Sequence, residues 1–303
     1  YSKMIYQATR RALEAFDASV IVYELFPFMM TRRDWSARAV QDFFREQGRP
    51  LPERVSLCRD IIHSKNPAGV LDRLHRYCSR LMVRGDSQFA RLEESQGDWA
   101  DINLPIDYVG NFVDEGVLQG RAVPEGPVVI FGGGGFRPEK GDEHFFMEAV
   151  KAQSQSKLFG NRDFVFVMSA MTPDDVVDRM LAAATGKVEI LPPMDSDNFK
   201  ALLGGAGMVV TRAGYNTTFE LVRMGKNFVV VPRNTDEQLK RAEFLLRGGF
   251  STVVPNQEVS ALALAQALDA TANIAVDESV SLNFNGAATM ASSLISLAEE
   301  YDG

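Results

Sequence analysis

Three stretches of this sequence carry residue types suited to holding a phosphate-bearing ligand, and each begins where a short apolar run ends. The first is Val128-Val129-Ile130-Phe131 followed by Gly132-Gly133-Gly134-Gly135. Glycine lets a backbone approach a ligand closely and take φ > 0. N–H groups there and at the start of the following helix suit a phosphate or a sugar hydroxyl. The run has neither the GxGxxG spacing nor a Walker lysine. Taken alone, it also reads as a plain strand-to-helix turn.

The second stretch is Met208-Val209-Val210-Thr211-Arg212-Ala213-Gly214-Tyr215-Asn216-Thr217-Thr218-Phe219-Glu220-Leu221. It reads as a strand, a tight turn at Gly214 and a helix that opens with Asn216, Thr217 and Thr218. The side chains of those three residues are suited to cap the helix. The first-turn N–H groups and the helix dipole make an anion site. Glu220 follows about one turn later, and a carboxylate can accept both hydroxyls of a ribose. The plainer alternative is a capped helix with an exposed glutamate.

The third stretch is Val229-Val230-Val231-Pro232-Arg233-Asn234-Thr235-Asp236-Glu237-Gln238. A strand ends at Pro232, and Asp236 and Gln238 open the next helix. Their acid and amide groups suit sugar hydroxyls, while Thr235 or Asp236 equally suits ordinary N-capping. All three stretches fall at expected C-terminal ends of parallel strands, where open α/β sheets hold ligands. Together they offer backbone N–H groups, an anion site with a diol acceptor, and polar sugar contacts. That set matches a nucleotide-diphosphate sugar. Arg212 and Arg233 stand beside the site as candidate cations, with surface ion pairing as the alternative. Glu24, at the end of an earlier apolar run, is the candidate general base. His63 is a weaker one.

Strands are expected at Val20–Phe26, Arg80–Arg84, Ile106–Gly110, Val128–Phe131, Phe164–Ser169, Val188–Leu191, Met208–Thr211, Phe228–Val231 and Thr252–Val254. They lack polar alternation, as strands covered on both faces do. Helices are expected over Gly141–Lys157, after a Thr172 N-cap with Pro173 at the first position, and over Asp195–Leu203, Tyr215–Met224, Asp236–Leu246 and Val259–Thr271. This alternation means βαβ units and a parallel sheet. From Val128 onward it suffices for one Rossmann-like domain. The expected organisation is a partial α/β domain over 1–110, a polar linker over 111–127 and a ligand-binding domain over 128–303.

The 303 residues suit two domains, with 46% hydrophobic and 24% charged residues. A formal net charge of −8 is not the footprint of a nucleic-acid binder. The arginines at 32–33 and the mixed run at 137–143 read as solvated surface. Cys58 and Cys78 fit no metal or redox spacing. The three histidines form no HExxH pattern, so no metal site and no cofactor is expected. No apolar run reaches the ~18 residues of a membrane span. A reducing, cytoplasmic setting is expected, with peripheral association at the inner membrane face as a variant.

The run 211–221, with Gly225, Pro232 and Asp236-Glu237-Gln238, resembles the donor-binding half of glycosyltransferase family 28. Over roughly 105–300, Gly132–Gly135 falls where that family has its C-domain glycine loop. Tyr23-Glu24-Leu25-Phe26-Pro27-Phe28 and Arg59-Asp60-Ile61-Ile62 resemble predicted glycosyltransferases related to it. The resemblance implies an α/β GT-B fold, two Rossmann-like domains facing a cleft, the N-terminal one incomplete here. It implies a UDP-type sugar donor and, as acceptor, a glycan, lipid or small molecule. Transfer would be metal-independent and inverting. By position, Glu220 would hold the ribose, and Gly214, Asn216, Thr217 and Thr218 the diphosphate, with Gly133, Gly134, Gly135 and Arg212 also at the donor site. Asp236 and Gln238 would contact the sugar. The family's N-terminal glycine loop and nearby histidine have no counterpart before Val20, which puts the catalytic base in doubt.

Two other readings use the same donor motifs: a nucleotide-sugar hydrolase or epimerase, and a binding module without catalysis. A Rossmann oxidoreductase is disfavoured because no GxGxxG with a downstream acid is present.

Overall fold

The computed structural model describes residues 2–28, 34–113, 125–132, 141–272, 274 and 282–302. It divides into two compact units, 1–112 with 282–303, and 113–281.

The first unit opens with α1 (Ser2–Ala15), β1 (Val20–Glu24), α2 (Asp34–Glu46), β2 (Glu53–Arg59), α3 (Pro67–Tyr77) and β3 (Arg80–Arg84). The short α4 (Leu92–Ser95) and β4 (Ile106–Tyr108) follow. Its four strands are parallel, in the order β1-β2-β3-β4. β2 is a strand that the sequence pattern hides. Glu53, Arg54 and Arg59 are charged and Ser56 is polar, yet Ser56 is fully buried with its hydroxyl donating to the Phe26 carbonyl at 2.6 Å.

The second unit holds β5 (Val128–Phe131), α5 (Asp142–Ala152), β6 (Phe164–Val167), α6 (Asp174–Ala183), β7 (Val188–Leu191) and α7 (Ser196–Gly205). It continues with β8 (Met208–Thr211), α8 (Tyr215–Arg223), β9 (Phe228–Val230), α9 (Asp236–Arg247), β10 (Thr252–Val253) and α10 (Ala261–Thr271). All six strands are parallel, in the order β10-β9-β8-β5-β6-β7, the doubly wound Rossmann order. β5, β8 and β9 are buried along their whole length. Their unbroken apolar runs follow from cover on both faces. Val128, Ile130, Phe164, Phe166 and Val210 pack under Phe145 and Phe146 of α5 and Leu264 of α10. Each such side chain contributes about 1.5–3 kcal/mol on burial. The chain reverses its direction of travel across the sheet between β5 and β8, which lie side by side.

Three sequence expectations change. The last helix, α11 (Gly286–Asp302), belongs to the first unit, not to the unit that precedes it in the chain. Its Met290, Leu294 and Leu297 pack against Val55, Leu57, Met82 and Val109. That apolar sheet face would otherwise meet water. The expected linker over 111–127 also begins later. Asn111 is buried, with its N–H donating to the Asn283 carbonyl at 2.7 Å, and Phe112 bridges to Asn285. Finally, Pro173 takes the N-cap position of α6, with no side-chain cap, so Thr172 does not cap it. Among the described residues, no helix is long and apolar enough to cross a membrane.

Candidate functional site

The doubly wound order places a crevice at the C-terminal ends of β5 and β8, where the sheet's winding reverses. Gly132 leaves β5 there, and Arg212-Ala213-Gly214 leave β8. α8 starts at Tyr215, with Gly214 at its N-cap and no side-chain cap. Of the other helices of this unit, α5 and α6 also lack a side-chain cap, whereas α7, α9 and α10 are closed by side chains. Asp195 accepts from the Asn198 N–H in α7, Thr235 from the Gln238 N–H in α9, and Ser260 from the Ala263 N–H in α10. Among the described residues, a Cβ built on Gly214 would meet no atom within 4 Å. The tip carries the positive end of the helix dipole.

Helical spacing sorts the rest of α8. Tyr215, Thr218, Phe219 and Leu221 are buried, while Asn216 is exposed and Thr217 and Glu220 are partly so. Asn216 and Glu220 are four residues apart, hence on one face. Glu220 lies roughly 9 Å further along the axis than Gly214, at about 1.5 Å per residue. Helical side chains lean toward the N-terminus, which carries its carboxylate back toward the tip. The buried face packs by the Tyr215 and Phe219 rings, edge to face at 5.0 Å.

Thr218 departs from the expectation that it faces a diphosphate. It is fully buried, and its Oγ1 has no hydrogen-bond partner. The helical period turns it inward, three residues from buried Tyr215 and Leu221.

The alternative of surface ion pairing does not hold for Arg212 and Arg233, which are ion-paired below the surface. Arg212 is 2% exposed. It donates to the Val231 carbonyl at 3.1 Å, to Asn256 Oδ1 at 2.9 Å and to Asp142 Oδ1 at 3.1 Å. Its guanidinium also stacks on Phe145, 4.3 Å from the ring centre. Arg233 donates through Nη2 to the Gly132 carbonyl at 2.7 Å and to both Asp142 oxygens at 3.0 Å. Asp142 is thus a buried carboxylate clamped by two arginines, although its neighbours in sequence read as solvated surface. The arginines tie the ends of β5, β8 and β9 to the start of α5. Charge runs do not reveal this, because the partners are distant in sequence.

At the start of α9, Asp236 is exposed and Gln238 partly exposed. The Gln238 Oε1 accepts the backbone N–H of Arg233 at 2.9 Å. An N–H can be received only by the amide oxygen, so the Gln238 nitrogen is the atom left to donate. Gly133, Gly134 and Gly135 lie outside the described residues.

In the first unit, Glu24 ends β1 with its side chain 63% exposed and Oε1 3.6 Å from Arg84 Nη1. Leu25 beside it has φ 59, a left-handed conformation uncommon outside glycine. His63 is exposed. Glu24 and the donor-site residues belong to different units.

Comparison with known proteins finds relatives for most of the second unit and a shared fold for nearly the whole chain. The glycosyltransferase family 28 C-terminal domain matches residues 150–289, which include Arg212, Gly214, Glu220, Asp236 and Gln238. A UDP-N-acetylglucosamine--N-acetylmuramyl-(pentapeptide) pyrophosphoryl-undecaprenol N-acetylglucosamine transferase of Bacillus cereus is 28% identical over 227 residues, 69% of this chain and 57% of that protein. The chain therefore spans little more than half the length of that relative. The enzyme of that name from Streptococcus sanguinis is 31% identical over 78 residues, 24% of this chain and 22% of that one. Among solved structures, MurG of Acinetobacter baumannii superposes with a TM-score of 0.63 at 14% identity, covering 96% of this chain and 77% of that one. A putative UDP-N-acetylglucosamine 2-epimerase from Listeria monocytogenes gives 0.65 at 14% identity, covering 99% and 80%. Residues 150–289 are thus similar to the C-terminal domain of glycosyltransferase family 28, and the fold is of the GT-B type.

Proposed function

We propose that the chain binds a UDP-sugar in its second unit and transfers the sugar to an acceptor hydroxyl. The observation that carries this reading is the α8 tip. It lacks a side-chain cap, lies at the reversal of the sheet with no described atom within 4 Å of a Cβ built on Gly214, and has Asn216, Thr217 and Glu220 on its accessible side. The diphosphate would accept from the tip, and Glu220 would accept the ribose hydroxyls. The Gln238 nitrogen and Asp236 would meet the sugar. UDP-N-acetylglucosamine is the first donor to test, because the relatives' names specify it.

In the reaction, the acceptor oxygen bonds to the anomeric carbon as the bond from that carbon to the diphosphate oxygen breaks. UDP leaves with the electron pair, and the acceptor proton passes to a base. Charge growing on the leaving diphosphate is stabilised by donors already in place at the helix tip. A single displacement inverts the anomeric centre, and the helix tip takes the role that a divalent ion has elsewhere. Glu24 is our candidate base, held by Arg84. A lipid-linked acceptor follows the relatives' names, and action as a peripheral protein at the inner membrane face is the setting that goes with it in this proposal.

The test is calorimetric titration with UDP, GDP and TDP and their sugars, followed by UDP release with and without acceptors. Tight binding of UDP and acceptor-dependent release support the proposal. Failure to bind any of these nucleotides ends it. Release that ignores acceptors turns the reading to hydrolysis.

A further inference from the structure

The turn that aims α8 is set by a single peptide plane, Ala213–Gly214, pinned on both sides. Its N–H, on Gly214, donates to the Arg212 carbonyl at 2.9 Å. Its carbonyl, on Ala213, accepts from Nη1 of Arg241 at 2.9 Å. Peptide groups are planar, so these two bonds fix the orientation from which the helix departs. Arg241 comes from α9 and is fully buried. Its Nη2 donates to Glu237 Oε1 at 3.0 Å, and its guanidinium lies 5.4 Å from the centre of the Tyr215 ring. One side chain therefore links the turn before α8 to the first turn of α9, between Asp236 and Gln238. A buried guanidinium is costly unless its donors are matched, and here a main-chain carbonyl at the mouth of the site takes Nη1 while Glu237 takes Nη2.

We propose that Arg241 is a positioning residue of the donor site, holding the Ala213–Gly214 plane so that the α8 tip meets the diphosphate of a nucleotide. The proposal rests on the UDP-sugar reading above. Arg241 touches no ligand in this scheme and acts through the plane it pins. Its effect should fall on the phosphates and spare the nucleoside, because Glu220 lies further down the helix, which its own backbone bonds hold.

The experiment compares affinities for UDP and for uridine in the wild-type chain and in Arg241→Met, Arg241→Lys and Glu237→Gln, with calorimetry for UDP and ligand-observed NMR for uridine. Arg241→Met should weaken UDP about tenfold and leave uridine unchanged. Arg241→Lys keeps one donor for the Ala213 carbonyl and should restore most of the UDP affinity. Glu237→Gln, which leaves that carbonyl bond intact, should keep the wild-type ratio. A residue that only stabilised the fold would lower the melting temperature without changing the UDP-to-uridine ratio. An unchanged ratio in folded Arg241→Met overturns the proposal. Should Arg241→Met not fold, Arg241→Gln, whose shorter amide cannot reach the Ala213 carbonyl, takes its place, and an unchanged ratio there overturns the proposal. Failure of the wild-type chain to bind UDP sinks the donor-site reading itself.

Discussion

Asp142 and Arg233, 91 residues apart in the chain, meet with both carboxylate oxygens 3.0 Å from one guanidinium nitrogen. The contact is buried, and Arg212 joins it from the end of the neighbouring strand β8 at 3.1 Å. Breaking such a cluster leaves charge without compensation in a medium that solvates it poorly. We expect Asp142→Asn to lower unfolding free energy by about 3–5 kcal/mol, measured by urea denaturation. A loss within experimental error would show that water reaches both arginines.

Glu220 is only partly buried, on the open face of α8. Glu220→Ala should leave stability within about 0.5 kcal/mol of the wild type. It should weaken UDP by about 1–3 kcal/mol, the worth of hydrogen bonds to a charged acceptor. Calorimetry with UDP reads this directly. Equal affinity in the two proteins removes Glu220 from the site.

Gly214 has φ −72 and ψ 139, which any residue can adopt, and nothing within 4 Å of a built Cβ. Gly214→Ala should therefore fold as the wild type does. The new methyl group stands over the tip where a phosphate would approach, so UDP affinity should fall about tenfold. An alanine variant that binds UDP normally would mean that the phosphates lie elsewhere.

Cys58 and Cys78 pack in one core of the first unit. Burial, with the charge of Asp60 nearby, raises the Cys58 thiol well above its ordinary value, and burial pushes the Cys78 thiol up to about 12. The thiolate is the reactive form, so at pH near 8 neither should alkylate with iodoacetamide until the chain is unfolded. Rapid labelling of the native protein, followed by mass spectrometry, would contradict this.

Much of the second unit was legible because its strands are continuous apolar runs. β5, β7 and β8 match their expected bounds, and the others end one or two residues early. The first unit was less so. β2 interleaves charged and polar residues with its apolar ones, and its Ser56 is buried only because the Phe26 carbonyl receives its hydroxyl. The turn at Gly214 and the accessible side of α8 followed from glycine chemistry and helical period. The same period also turns Thr218 inward, which a reading of residue types alone overlooked. The buried roles of Arg212, Arg233 and Arg241 depend on partners brought by other strand ends, and local sequence cannot supply those. Glu237 and Arg241, at helical spacing, were the one visible hint.

The path of α11 has its own consequence. The chain leaves the first unit after Phe112 and returns at Leu282, and Asn111 and Asn283 are hydrogen-bonded at that junction. The second unit is therefore a cassette spliced into the first at two adjacent points. Exchange of that uninterrupted stretch with one from a relative would leave the recipient sheet, with its closing helix, whole.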